Sequence, residues 1–403
     1  MIKIEYIDGK EQNGILYDWR LIEKEFRKLG VPSEFHRPPF LQIPFNKYFI
    51  DMSDRSTGKT TTWILLGLVM NKLYGTVVQY IRPTEDELAP SHAAKLVDVL
   101  CTYDSGRYIR ILTDGKYNSI YYHWKQFYYC LVDDTGNRIE VCEKPIIQCL
   151  SIDRCMDYKS SYNAPRGDLI ILDEFLARGR YYRANECVDF LDLLKTIIRE
   201  RQSAIIAMLA NTISLTSPYF EDFEISKEIK TLNKRGDTKQ IITERGTHIF
   251  VEILDAGVTK SKARQVVNSL YYGFKNPKLS AITGEGGLYA FESVPHIPKR
   301  DSSFILVENR IYISTGTELL RCDYCYNDRL GYHMEIHRAT RFYDDSVILT
   351  LDTIRDSRFV YGFGTAHLKA TWNRLLIEHR VYYESNEVGA IFKDYLQKYK
   401  ELK

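Results

Sequence analysis

Ser53-Asp54-Arg55-Ser56-Thr57-Gly58-Lys59-Thr60 is the stretch on which the reading of this chain turns. An apolar run, Tyr48-Phe49-Ile50-Asp51-Met52, leads into it, and a helix-forming run from Thr61 to Met70 leads out. Strand, tight loop, Gly-Lys-Thr and helix are the context of a phosphate-binding P-loop. Loop amides and a helix N-terminus put positive potential where a polyphosphate lies. On this reading Lys59 reaches the β- and γ-phosphates of ATP, and the Thr60 hydroxyl takes one position on Mg²⁺. Ser53 to Thr60 are all candidate nucleotide-binding residues. The pattern asks for Gly at its first position, where the chain has Ser53, so an L-residue must fit a place that Gly fills freely.

A second motif supports the first. Leu169-Ile170-Ile171-Leu172-Asp173-Glu174 is a short apolar run ending in two carboxylates, which reads as a buried parallel strand. Its C-terminal end is where open α/β sheets bind ligands. Asp173 is the expected Mg²⁺ ligand, and Glu174 the base that orients and deprotonates the attacking water. Thr76 to Ile81 is a strand lying in sequence between the two motifs. Ser203 to Leu209 is another, followed by Asn211 where a polar side chain can sense the γ-phosphate. The expected fold is therefore α/β: a P-loop ATPase domain of the additional-strand, catalytic-Glu class.

Length and composition agree with a protein of two or three domains. The chain has 403 residues, 30 of them Tyr, and a net charge of +2. No apolar run approaches the roughly 18 residues of a membrane span, and Met1-Ile2-Lys3-Ile4-Glu5 lacks the apolar core of a signal peptide. The eight Cys form no dense framework, which suits a reducing cytoplasm. Bulk charge does not announce a nucleic-acid partner, so any basic surface must be local. Residues 227–264 supply one: nine Lys or Arg against five acids, a net +4 that exceeds the whole chain's +2. Phosphate backbone is met on such a surface, although a solvated helical face reads the same way.

The remaining segments are less specific. Asp18 to Leu29 reads as a helix. Residues 107–150 are rich in Tyr and Phe around the turn signal Asp133-Asp134-Thr135-Gly136-Asn137, so β-hairpins are expected. Their aromatics can stack on bases, but sheet packing is the simpler reading. Residues 183–201 form an amphipathic helix with Val188, Leu191, Leu194 and Ile198 on the expected buried face. Gly284-Glu285-Gly286-Gly287, then Pro295 and Pro298, mark a hinge-like boundary. Beyond it, Ser303–Val307, Arg310–Ser314, Met334–Ile336, Val347–Leu351 and Phe359–Tyr361 are strand candidates, with helices over Thr371–Arg380 and Asn386–Lys400. Cys322-x2-Cys325 with His333 and His337 has zinc-like residue types. The single Cys pair and the short gap to His333 argue against a zinc finger.

With these motifs in place, the chain resembles the DNA-packaging (encapsidation) ATPases of small tailed podophages, relatives of the terminase large subunits. Four segments carry the likeness: Ser53 to Thr60 with Arg55 at the third position; Lys159-Ser160 ahead of Leu169 to Phe175; the helix ending Ile198-Arg199-Glu200-Arg201; and Leu209 to Ser214 running into Ser217-Pro218-Tyr219-Phe220. The resemblance covers about residues 48–220 and implies a homo-oligomeric ring, a pentamer. That ring docks on the portal of a procapsid in the host cytoplasm, drives double-stranded viral DNA inward, and in some members uses a packaging RNA. It implies that Lys59 and Thr60 bind phosphate and Mg²⁺, that Asp173 holds the metal and that Glu174 is the base. Asn211 then falls at the coupling position and Arg55 at the terminase-type P-loop arginine. Arg199 falls at the arginine finger acting on a neighbour, with Arg201 in reserve. The loop Thr84-Glu85-Asp86-Glu87 is acidic where close relatives carry a basic DNA contact. The expected division is an ATPase domain over 1–216, a basic linker subdomain over 217–297 and an RNase H-like, vestigial nuclease domain over 298–403. Two other functions fit the same motifs: a terminase whose C-terminal domain still cuts DNA, and a P-loop module that binds nucleotide without hydrolysing it.

Overall fold

A computed structural model describes residues 5–7, 10–12, 17–53, 57–161, 167–176, 182–183, 185–199, 201–210, 217–232, 236–254, 294–316 and 318–401. These fall into two compact units. In the first, β1 (Glu5–Ile7) and β2 (Lys10–Gln12) make a small hairpin, followed by α1 (Trp19–Lys28). The nucleotide-type core follows as β3 (Tyr48–Met52), α2 (Lys59–Tyr74), β4 (Val78–Arg82), α3 (Pro90–Thr102) and α4 (Arg107–Leu112). The hairpin region is β5 (Ser119–His123), β6 (Gln126–Val132) and β7 (Arg138–Val141), followed by β8 (Ile147–Ser151). Then come α5 (Cys155–Ser161), β9 (Leu169–Asp173), α6 (Glu186–Ile198) and β10 (Ile205–Ala210). The unit closes with α7 (Pro218–Asp222), α8 (Ser226–Ile229), β11 (Thr238–Ile242) and β12 (His248–Ile253).

One sheet organises all of this, in the order β11-β12-β3-β10-β9-β4-β8-β6-β5, with β7 paired to β6. From β12 to β8 every neighbouring pair is parallel. The strand β10 lies between the P-loop strand β3 and the carboxylate strand β9, whereas β4, the strand that lies between the two motifs in sequence, pairs on the far side of β9. Strands β9 and β10 are buried along their whole length, so they read as continuous apolar runs. Helix α2 is buried from Thr62 to Met70. Its Gly67 lets it sit close to the sheet, since a Cβ there would fall 2.2 Å from Val78 Cγ2. Overpacking of that kind costs about 1–3 kcal/mol.

The expected boundary at residue 216 does not hold. β12 pairs in parallel with β3 along its length, so the described part of the 217–297 segment completes the first sheet and forms no separate linker subdomain. The reason is legible in burial: His248–Ile253 hides Ile249, Phe250, Val251 and Ile253, covering an edge that β3 would otherwise expose. Lys234, Arg235, Lys260, Lys262, Arg264 and the Gly284–Gly287 hinge signal lie outside the described residues. The hairpins at 119–141 are present, and Tyr117, Phe127 and Tyr129 are buried in them, as the packing reading expects. Trp124, at the tip, is 84% exposed.

The second unit is a six-stranded sheet ordered β17-β16-β13-β14-β15-β18. Its strands are β13 (Ile305–Ser314), β14 (Leu319–Asn327), β15 (Gly331–Ala339), β16 (Val347–Thr350), β17 (Phe359–Tyr361) and β18 (Val381–Tyr383). α9 (Ala366–Ile377) and α10 (Asn386–Glu401) complete it. β13, β14 and β15 form an antiparallel meander, while β16 pairs in parallel with β13 and β17 with β16. The two strands expected at 303–307 and 310–314 are one strand. Register shifts on either side of Glu308 absorb the broken alternation of Val307-Glu308-Asn309-Arg310 as a bulge. No described helix is long and apolar enough to cross a membrane.

Candidate functional site

The C-terminal tips of β3, β10, β9 and β4 bring the expected residues together. Ser53 continues the β3 ladder by one residue, its amide donating to the Ala210 carbonyl at 3.2 Å. It is not among the described residues with a left-handed backbone, so the position has no need of Gly. Its side chain contributes instead. Ser53 Oγ lies 3.0 Å from Thr57 Oγ1 and accepts from Lys59 Nζ at 3.0 Å. That network holds a buried lysine over the loop. Gly58, by contrast, is needed twice over. Its φ is +76°, and a Cβ would fall 2.6 Å from the Phe35 ring. The segment before β3 therefore crosses the loop, and the His36 amide donates to the Thr57 carbonyl at 2.9 Å. Asp54, Arg55 and Ser56 lie outside the described residues, as does Asn211.

Thr60, in the first turn of α2, donates to Asp173 at the end of β9, with Oγ1 at 3.2 and 3.3 Å from the two carboxylate oxygens. A hydroxyl and a carboxylate so placed, beside a helix N-terminus with no acidic residue in its first turn, are hard oxygen donors suited to Mg²⁺. These residues fit the ion that the sequence calls for.

The structure adds two residues that the sequence reading left aside. Tyr80, buried on β4, donates to Asp173 Oδ2 at 2.8 Å, and burial and that carboxylate hold its phenol well above its ordinary range. Arg82, at the tip of β4, donates through Nη2 to Glu174 Oε2 at 2.9 Å, with Nη1 3.4 Å from Asp173 Oδ2 and Nη2 3.2 Å from Glu87. Burial opposes the Arg82 charge, but Tyr80, Asp173, Glu174 and Glu87 outweigh it and keep the guanidinium firmly protonated. Glu174 itself sits at φ 59°, a left-handed conformation costly for a non-glycine residue. In the loop after Arg82, Glu85 is paired with Lys125 and Arg154, which neutralises much of its acidic character internally.

A buried polar cluster backs the P-loop strand. Trp63 Nε1 donates to Asp51 Oδ2 at 2.6 Å, and His36 Nε2 lies 3.1 Å from the same oxygen. Register puts Glu252 beside Asp51. Burial and Asp51 push the Glu252 carboxyl up to about 7, with His36 opposing.

Helix α6 buries Glu186, Cys187, Phe190, Leu193, Leu194 and Ile197. Of the expected face only Leu194 is fully buried; Val188 and Leu191 are 52% and 40% exposed. The stripe is rotated by one residue because the helix packs along Phe190, Leu193 and Ile197. Arg199 caps the helix at φ 54° and is exposed. Arg201 is tied down: its Nε donates to Asp168 at 2.9 Å, and its Nη2 to the Gly167 and Ile197 carbonyls.

Among solved structures, the chain is similar to the DNA packaging motor gp11 of phage phi28. The TM-score is 0.53 at 14% identity, covering 92% of this chain and 99% of that one. It is also similar to the viral genome packaging motor assembly of bacteriophage phi29, with a TM-score of 0.53 at 16% identity, covering 91% and 100%. No protein-family model and no curated protein matches. At these identities the likeness establishes a shared fold over nearly the whole chain.

Proposed function

We propose that this chain is an ATPase that drives double-stranded viral DNA into a phage procapsid. The observation that carries the reading is the meeting of Thr60 and Asp173 at 3.2 Å, with Glu174 next in the chain and Lys59 held over the loop. The structural neighbours, both viral DNA packaging motors, supply the biological setting. Lys59 and the α2 amides bind and orient the phosphates. Thr60 and Asp173 would hold Mg²⁺, which when bound offsets phosphate charge. Glu174 takes a proton from the attacking water. In the structure its carboxylate is held by Arg82, and a carboxylate bound to a guanidinium is a poor base, so Glu174 must leave Arg82 to act. We further propose a homo-oligomeric ring, a pentamer, that docks on the portal in the host cytoplasm, with a packaging RNA as a further partner.

The test is ATP turnover with and without DNA. Glu174→Gln should keep ATP affinity while abolishing turnover, because the amide keeps the shape and loses the base. Lys59→Ala should weaken both. Wild-type-like turnover in Glu174→Gln would remove the site assignment, and a wild-type chain that binds ATP without hydrolysing it would favour the passive nucleotide-binding module.

We read the second unit as an RNase H-like domain without working nuclease chemistry. Such chemistry needs several carboxylates converging on two metals. The adjacent tips of β13 and β16 carry Ser314-Thr315 and Thr350-Leu351-Asp352, a single acid. Asp345 is paired with Arg310 and Asp356 with Arg358. Plasmid DNA should survive incubation with the protein and Mn²⁺; cutting that vanishes in Asp352→Ala would restore the active terminase.

A further inference from the structure

The zinc-like residues of the second unit are sorted by strand geometry. Cys322 and Cys325 are three apart on β14 and so project to opposite faces. Cys322 joins the apolar core with Leu320, Met334 and Ile336. Cys325 faces the other way. On β15, His333 and Glu335 are two apart and share that second face. The ladder places His333 directly opposite Cys325, and Glu335 opposite Asp323. Cys325, His333 and Glu335 are all buried, and their donor atoms lie within 4.8 Å of one another.

The orientation of His333 is the decisive detail. Its Nδ1 is 2.8 Å from the Gly331 carbonyl. A carbonyl can only accept, so Nδ1 carries a proton. In the neutral ring Nε2 then presents a lone pair, and it faces Glu335 Oε1 at 3.4 Å. Two acceptors facing each other in a buried site need a cation between them: a proton, or a metal. A charge-assisted N–H···O bond spans about 2.7–2.9 Å. Two ligands on a tetrahedral zinc, each about 2.0–2.1 Å from the ion, stand about 3.3–3.4 Å apart. The observed spacing is the second. The outer contacts fit as well. Gly331 fixes the histidine tautomer, and Arg300 donates to the other oxygen, Glu335 Oε2, at 2.9 Å. Metal-binding histidines and carboxylates are oriented by partners of this kind.

We propose that Cys325 Sγ, His333 Nε2 and Glu335 Oε1 bind a zinc ion, with water in the fourth position. Thiolate and carboxylate together offset its charge. Binding converts the Cys325 thiol to a zinc thiolate and releases one proton to solvent. The ion ties β14 to β15 on the face away from the helices. This inference does not depend on the ATPase site.

The test uses the full chain, purified without chelator from zinc-supplied cells. Elemental analysis should find about one zinc per chain. Replacement with Co²⁺ should give the absorption of a tetrahedral site with a thiolate charge-transfer band. Cys325→Ser should lose that band, while Cys142→Ser, on the hairpins of the first unit, should keep it. Arg300→Gln should keep the band and weaken metal affinity by about 10- to 100-fold. Should Cys325→Ser fail to fold, the wild-type measurements decide alone. A folded wild-type chain that takes up no Zn²⁺ at micromolar concentration overturns the proposal. So does a His333 ring doubly protonated by ¹⁵N NMR in zinc-loaded buffer, which would mark a plain imidazolium–carboxylate pair.

Discussion

Arg82 grips the two carboxylates that the chemistry must keep distinct. It is 2.9 Å from Glu174 and 3.4 Å from Asp173. Tyr80 fixes Asp173 from a third side, so the metal-holding acid keeps an anchor when Arg82 is lost. Losing Arg82 should therefore take the guanidinium off the Glu174 carboxylate while Tyr80 still holds Asp173. Arg82→Ala should raise ATP turnover in the absence of DNA and shrink its stimulation by DNA, with ATP affinity little changed. Loss of ATP affinity together with turnover would show that Arg82 instead holds the metal site in shape. The sequence displayed Lys59, Thr60, Asp173 and Glu174 because their motif is local. Arg82 was not legible, because its meaning comes from β4 pairing with β9 across some ninety intervening residues. The Ser53 departure resolves at the same scale, since its hydroxyl ties Thr57 and Lys59 together.

Among the elements, strand β12 changes the most between sequence and structure. Read along the chain, residues 217–297 are a basic linker; read across the sheet, Glu252 sits beside Asp51 on the strand that delivers the P-loop. Charge counting cannot see a partner 200 residues away. Helix α6 shows a subtler limit: its periodicity was visible, but which of two adjacent stripes packs depends on neighbours the sequence does not specify. The β12–β3 seam makes a pH prediction. The Glu252 carboxyl, pushed up to about 7 from 4.5, keeps in the folded state a proton that the unfolded chain loses. The stability this gives is fully present below about pH 4.5 and is lost as pH rises through about 7. At about 1.4 kcal/mol per unit the effect is of order 3 kcal/mol at most. Glu252→Gln keeps the neutral form at every pH. Its melting temperature should exceed wild type increasingly from pH 5 to pH 8, and the two should converge at the acid end. A difference independent of pH would mean that Glu252 does not titrate in this window.

At the scale of the whole molecule, the described residues of one copy bring no cation to the site from outside the pocket. Within the chain Arg201 is spent on Asp168 and the neighbouring carbonyls, so it is no longer a reserve finger. Arg199 is exposed and makes no ion pair among the described residues, at a backbone angle that costs about 1–3 kcal/mol for a non-glycine residue. The helix it caps also exposes Val188 and Leu191, apolar surface of the sort that a neighbouring copy can cover. We therefore expect Arg199 to act on the nucleotide of an adjacent subunit, where such an arginine is worth on the order of 10³- to 10⁵-fold in rate. The alternative is a surface arginine at a helix C-terminus, worth about 0.3–1 kcal/mol. Mixing separates them. Arg199→Ala alone should bind ATP and hydrolyse it poorly. Adding Glu174→Gln subunits, which cannot hydrolyse but keep their own Arg199, should restore part of the turnover by supplying that arginine across the interface. If mixed assemblies turn over no more ATP than either variant alone, while both variants still assemble into rings, Arg199 does not work in trans. Communication between sites must then pass through another contact.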